Sequence, residues 1–118
     1  MKAISTVSLA VTAAMAGVLF APGTAAAVDA EAAKALARQN NCFKCHAIEK
    51  KKDGPAWKEV AAKYREKGGG QERLVQHITS GEKAKFPDGH EEDHKVIQTD
   101  PPKDMDQIKN LVDFILSL

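Results

Sequence analysis

The sequence predicts an all-α domain of about four helices, and three observations favour that class. After residue 27, apolar residues recur at helical spacing in four segments, no segment alternates as a strand would, and capping or stop residues flank the helical segments. The 118-residue chain is long enough for one small domain. A content of 43% hydrophobic and 28% charged residues excludes a disordered chain and a polytopic membrane protein.

Residues 1–27 have the layout of a secretory signal peptide. Lys2 gives a basic start, an apolar run covers Ile4–Ala21, and the small residues Ala25–Ala27 form a cleavage site of the A-x-A kind. An uncleaved membrane anchor is the alternative, because the run approaches the length of a span. A proline–glycine break after the run argues against it. We expect cleavage after Ala27, which leaves a soluble domain over residues 28–118 in the periplasm.

The first two helices are defined by their ends. Asp29 can cap a first helix that runs to about Asn40. Pro55 suits the first turn of a second helix, since its fixed φ matches the helix and its missing N–H is not needed there. Gly68 stops that helix.

The sequence also marks the ends of the last two helices. A third helix is predicted over Gln71–Ser80, with Gly81 as its C-terminal stop. Asp104 and Gln107 form a capping-box pattern for the fourth, which we predict to run to Leu118. Its predicted inner stripe consists of Met105, Ile108, Leu111, Val112 and Ile115.

The segment Cys42-Phe43-Lys44-Cys45-His46 decides the functional interpretation. C-x-x-C-H is the pattern at which c-type haem is attached. The two thiols add to the haem vinyl groups as thioethers, and the adjacent histidine becomes the proximal ligand of the iron. We therefore predict one covalently attached haem c, held by Cys42, Cys45 and His46. Haem would also supply core volume to a chain with only 5% aromatic residues.

Three other uses of these cysteines are less well supported. A disulfide would close so short a loop that its entropic benefit is small, and it leaves the histidine unexplained. A thioredoxin-like pair requires a βαβ frame, and no strand is visible. A zinc site could combine Cys42 and Cys45 with His90 and His94, but 44 residues separate Cys45 from His90. A C2H2 finger has about 12–15 residues there.

With this motif, the chain resembles the short bacterial class I cytochromes c. The resemblance covers nearly all residues after 27 and rests on CFKCH, on DGPAWKEVAAKY, on a glycine-rich turn and on Phe114. It implies a class I cytochrome c fold, with about four helices around one covalent haem and crossed N- and C-terminal helices. It also implies that the Pro55 carbonyl accepts a hydrogen bond from His46. Trp57 would pack at the haem edge and reach a propionate, and His77 would bind a propionate.

The chain departs from that family at the distal iron ligand. The family uses a methionine in a Met-Pro motif, which this sequence lacks. The remaining donors are His90 and His94 in the long segment Glu82–Lys103, and Met105, for which core packing is the alternative role. Family spacing counted from both sides places the ligand within 91–98. We predict His94, with His90 and Met105 as alternatives, and a lower reduction potential than a methionine ligand gives.

The net charge and the distribution of charged residues indicate which kinds of partner are suitable. Lys2 is the only charged residue before residue 28, so the domain is formally neutral, which argues against nucleic-acid binding. The segment Lys44–Arg73 has nine basic and five acidic residues, whereas His77–Asp106 has four basic and eight acidic residues. Such polarity can steer a small carrier toward a partner, although two ordinary solvated faces would look the same.

These observations predict a monomeric carrier of single electrons between redox proteins, without catalytic residues and without stable membrane insertion. Multihaem cytochromes or a terminal oxidase would be suitable partners. The alternative is a five-coordinate haem protein that binds a small gas or reduces peroxide, which applies if no distal residue reaches the iron. The sequence offers no distal acid–base pair for that chemistry. The iron would be low-spin in the carrier and high-spin in the alternative.

Overall fold

The computed structural model describes residue 17 and residues 27–118, so the predicted signal peptide lies almost wholly outside the described residues. The described part contains helices α1 (Ala30–Gln39), α2 (Trp57–Lys67), α3 (Gly70–Ser80) and α4 (Met105–Leu116), a 3₁₀ turn (Cys42–Lys44), and strands β1 (Lys83–Lys85) and β2 (Glu91–Asp93). The predicted four-helix class is confirmed, with a small two-stranded sheet added. Among these residues, no helix combines the length and apolar character needed to cross a membrane.

The helix ends follow from local side-chain chemistry. Asp29 caps α1 by accepting a hydrogen bond of 3.0 Å from the backbone N–H three residues later. Asp104 caps α4 in the same way, accepting from the N–H of Gln107 at 3.1 Å. Gly81 ends α3 in the left-handed conformation, with φ 70°, which favours glycine.

Two sequence predictions about secondary structure are wrong. Pro55 lies outside α2, which begins at Trp57, because the proline carbonyl faces a histidine ring instead of joining the helix. The long segment after α3 contains an antiparallel hairpin, in which Lys83 pairs with Asp93. Its strands are three residues long and almost entirely polar, so they show no hydrophobic alternation. An ion pair of 2.6 Å between Lys83 and Asp93 supports the pairing.

The core lies where α4 packs against the other three helices. Its buried cluster consists of Ala33, Leu36, Ala37, Trp57, Leu111, Phe114 and Ile115. Small alanines of α1 and the large Phe114 of α4 share this cluster, as the predicted crossing of the terminal helices requires.

Met105 is 41% exposed, so its predicted place on the inner stripe is wrong. Ile108, three residues later in the same turn, is 2% exposed, so the buried face of α4 begins at that residue. Asn110 bonds the backbone of Asp29 at the start of α1.

Candidate haem-binding site

A cavity of about 770 Å³ lies between the cysteine motif, helices α2 to α4 and the hairpin. Cofactor pockets typically measure about 300–1,000 Å³. The cavity therefore fits one large apolar group. Its lining includes Cys42, Cys45, His46, Trp57, Val60, Leu74, His77, Ile78, His94, Ile97, Leu111 and Val112.

The two cysteines and His46 are held together by a tight backbone turn. The N–H groups of Cys45 and His46 both donate to the carbonyl of Cys42, at 3.2 and 3.0 Å. Both thiols are free and half-buried at the cavity wall. Burial raises the pKa of Cys42, so this thiol is kept protonated. The free thiols suit thioether formation, whereas the alternative of a disulfide has no support here.

His46 is fixed in one tautomer. Its Nδ1 lies 2.8 Å from the Pro55 carbonyl oxygen, which can only accept a hydrogen bond. Burial lowers the pKa of His46, so the neutral ring donates from Nδ1 and keeps a lone pair on Nε2. Gly54 makes room for this ring, since a Cβ there would lie 2.5 Å from Cε1 of His46.

His94 has the same arrangement on the distal side of the cavity. Its Nδ1 lies 2.9 Å from the carbonyl oxygen of Lys95, which likewise leaves Nε2 with a lone pair. Burial, followed by the nearby His77, lowers the pKa of His94. A neutral imidazole with a carbonyl-bonded Nδ1 is the usual form of a metal ligand.

The distance between these two rings fits a shared metal ion. The ring centroids of His46 and His94 lie 6.3 Å apart, with the planes tilted by 49°. Two imidazoles that bind one ion from opposite sides, each through a nitrogen about 2.0–2.1 Å away, have ring centres roughly 6–6.5 Å apart. The residues present therefore fit an iron atom between His46 and His94.

The other two candidate ligands lie elsewhere. Both ring nitrogens of His90 face carboxylates, Nδ1 that of Asp88 and Nε2 that of Glu92 at 3.2 Å. Neither His90 nor Met105 lines the cavity. Of the three distal donors considered from the sequence, the fold brings His94 to the cavity.

Trp57 and His77 both line the cavity. Trp57 is 4% exposed, and its ring centroid lies 6.1 Å from that of His46. Nδ1 of His77 lies 2.5 Å from the Glu82 carboxylate, and its ring lies 4.3 Å from that of His94. The predicted bond from His77 to a propionate would therefore have to use Nε2.

Asn40 is a structural residue of the site that the sequence did not indicate. It is 5% exposed and lies at the end of α1. Its amide donates to the carbonyls of Leu36 and Gln98, at 3.0 and 2.9 Å, and accepts the N–H of Gln98 at 2.8 Å. These bonds join the base of the cysteine turn to the distal segment, 58 residues away. No local pattern signals such a contact.

The comparisons with known proteins agree on one family. A family model described as Cytochrome c matches residues 30–118. Cytochrome c-551 of Allochromatium vinosum is 46% identical over 46 residues, which are 39% of this chain and 49% of that protein. Cytochrome c-551 of Pseudomonas aeruginosa is 42% identical over 65 residues, 53% of this chain and 62% of that protein. The matches thus span less than two thirds of these curated relatives.

Solved structures match more of the chain. The class 1 cytochrome MtoD of Sideroxydans lithotrophicus ES-1 is 62% identical, with a TM-score of 0.70, over 77% of this chain and 97% of that chain. Wild-type cytochrome c552 of Nitrosomonas europaea is 34% identical, with a TM-score of 0.56, over 72% of this chain and 98% of that chain.

Proposed function

This chain belongs to the cytochrome c family, and from that premise and the cavity geometry we propose that it is a monohaem carrier of single electrons. As a family member it binds one covalently attached haem c. When bound, the haem supplies an iron atom that gains and loses one electron. The protein's own residues would hold the haem, provide its axial ligands and determine how much of it is exposed to solvent.

Cys42 and Cys45 would hold the haem through thioether bonds, and His46 would be the proximal ligand. The Pro55 carbonyl keeps Nε2 of His46 free for the iron. Trp57 would pack at the haem edge, where its indole N–H would reach a propionate. These roles are supported by the cavity lining and by the C-x-x-C-H spacing.

The observation that carries the proposal is the pair of histidines across the cavity. His46 and His94 lie 6.3 Å apart, and each has its Nδ1 on a backbone carbonyl. With His46 and His94 as its two ligands, the iron would have no open position for a substrate, which favours electron transfer over catalysis. A second histidine also gives a lower reduction potential than methionine does.

The cellular setting is part of the same proposal. We infer that residues 1–27 direct export and are removed, and that the domain over 28–118 works as a monomer in the periplasm with redox proteins as donor and acceptor. The surplus of basic residues in Lys44–Arg73 and of acidic residues in His77–Asp106 gives the domain the polarity that orients brief encounters. Electron-transfer complexes are typically small and short-lived, so no large interface is required.

Replacement of the distal histidine tests the function. His94→Gly should convert the ferric protein from low-spin to high-spin, because it removes the sixth ligand, and absorption and EPR spectra would record the change. His90→Gly and Met105→Leu are the matched controls and should leave the spectra unchanged. Conversion by Met105→Leu alone would identify methionine as the ligand. High-spin iron before any substitution would instead favour the gas-binding or peroxide-reducing alternative.

A further inference from the structure

Glu82, the second residue after α3, connects that helix to the segment that carries His94. One oxygen of its carboxylate lies 2.6 Å from Nη1 of Arg73 and 2.5 Å from Nδ1 of His77. Arg73 and His77 are four residues apart and therefore lie on one face of α3. The Glu82 side chain is 27% exposed, so the two bonds are partly shielded from water.

The same residue also contacts the distal segment through its backbone. The carbonyl of Glu82 accepts the N–H of His94 at 2.9 Å. Gly81, just before it, fits closely under that segment, since a Cβ there would lie 3.2 Å from Cγ2 of Val96. The N–H of Ile97 donates to the carbonyl of Ile78 at 2.8 Å, so the backbone on both sides of His94 is held against the end of α3.

The ring of His94 has a neighbour that Glu82 orients. The ring centroids of His77 and His94 are 4.3 Å apart, with the planes tilted by 45°. The guanidinium of Arg73 contacts the same carboxylate oxygen at 2.6 Å, which is the pairing that an ionised carboxylate makes. Because an ionised carboxylate only accepts, Nδ1 of His77 must donate to it, which sets the rotation of the His77 ring.

We propose that Glu82 is a positioning residue for the distal ligand: it holds the backbone of His94 through its carbonyl and sets the plane of the His94 ring through His77. This inference rests on the proposed ligation of iron by His94. Partners of this kind orient ligating histidines and tune the metal that they bind. The plane of the His94 imidazole, and with it the electronic structure of the ferric iron, therefore depends on a carboxylate that does not touch the iron.

Two substitutions distinguish a positioning role of Glu82 from an effect of its negative charge. Glu82→Asp keeps the charge but shortens the side chain, so it should move His77 and shift the EPR signals of the low-spin ferric protein while changing the reduction potential little. Glu82→Gln removes the charge, so it should shift the EPR signals and also raise the potential, because the ferric state loses a nearby negative charge.

A matched control comes from another ion-paired glutamate. Glu49 bonds Lys58 at 2.6 Å and does not line the cavity. Glu49→Gln should change neither the EPR signals nor, beyond a small shift, the potential. Thermal unfolding of all variants shows whether any spectral change merely follows from lower stability.

The outcomes are distinguishable. Shifted EPR signals in both Glu82 variants, with two imidazole ligands retained, support the positioning role. Unchanged EPR signals in both variants, on a wild-type protein with two imidazole ligands, overturn the positioning role and leave the proposed function intact. A wild-type spectrum without a second imidazole overturns the proposed function and this inference together.

Discussion

The proximal wall of the cavity is built from nearly consecutive residues, whereas the distal wall is assembled from segments far apart in the chain. On the proximal side, backbone bonds tie the segment 42–58 to itself, including Gly54 N–H to Cys45 at 2.8 Å and Trp57 N–H to Ala47 at 3.0 Å. On the distal side, the position of His94 depends on α3 through Glu82.

The two walls should therefore differ in how they respond to substitutions. A backbone-bonded loop keeps its shape when exposed side chains change, because the peptide groups themselves make the bonds. The distal wall combines backbone bonds between distant segments, such as His94 N–H to the Glu82 carbonyl at 2.9 Å, with side-chain pairs around Glu82. Side-chain pairs respond to single substitutions, and at partly exposed sites each such pair contributes little free energy. We therefore expect changes in the proximal wall to affect haem attachment and folding, and most distal changes to affect the properties of the iron.

The largest effect is expected for Gly54→Ala in the proximal wall. The new Cβ would lie 2.5 Å from a ring atom of His46, and a rigid imidazole cannot move aside without losing its bond to Pro55. Overpacking of this severity costs about 3 kcal/mol in the free energy of unfolding, and haem incorporation should fall with it. Chemical unfolding and the yield of haem-containing protein measure both effects.

Gly81→Ala is the corresponding change in the distal wall and serves as the control. The position has φ +70°, which costs an alanine about 1–2 kcal/mol, and its nearest neighbour is a methyl group 3.2 Å away. Haem content and the low-spin spectrum should be kept. Equal loss of haem in the two variants would contradict the difference between the walls.

A smaller loss of stability is expected where the two walls are joined. Asn40→Ala removes three hydrogen bonds and leaves the N–H and carbonyl of Gln98 without these partners. The free energy of unfolding should fall by about 2 kcal/mol. Because the haem ligands are untouched, the spectrum of the folded protein should stay low-spin. Stability equal to that of the wild type would show that this junction does not hold the walls together.

The smallest effect belongs to His90 at the exposed tip of the hairpin. Hydrogen bonds that the His90 ring donates to the carboxylates of Asp88 and then Glu92 raise its pKa. The stabilisation that protonated His90 gives the folded state is therefore fully present below the unfolded pKa of about 6.5. It is lost as pH rises through the higher folded pKa. His90→Gln should lower Tm slightly near pH 5.5 and leave it unchanged near about pH 9. A difference in Tm that is larger at high pH would contradict this sign.

Much of the fold and the proximal wall could be predicted from the sequence, because their signals are local. Asp29 and Asp104 mark helix starts through bonds to residues close in the chain, and Gly81 ends α3 through its left-handed backbone. The cysteine motif predicted the attachment site for the same reason. The hairpin could not be predicted, since its short strands bury no apolar face.

The distal wall was predictable only in part. The missing methionine and the family spacing indicated His94, and the fold brings that residue to the cavity. The roles of Asn40 and Glu82 have no sequence signature, because their partners become neighbours only after α1, α3 and the distal segment pack. Helical spacing placed Met105 inside, but the buried face of α4 begins at Ile108, three residues later.

The axial ligands of the ferric protein are the most direct test of the central claim. Low-temperature EPR, combined with the far-red absorption spectrum, should be recorded on wild-type protein produced in a host that attaches haem c. A low-spin signal from two imidazoles, without the far-red band of methionine-ligated iron, is the predicted result. A high-spin signal, or the methionine band, would contradict the assignment of His46 and His94 as the two ligands.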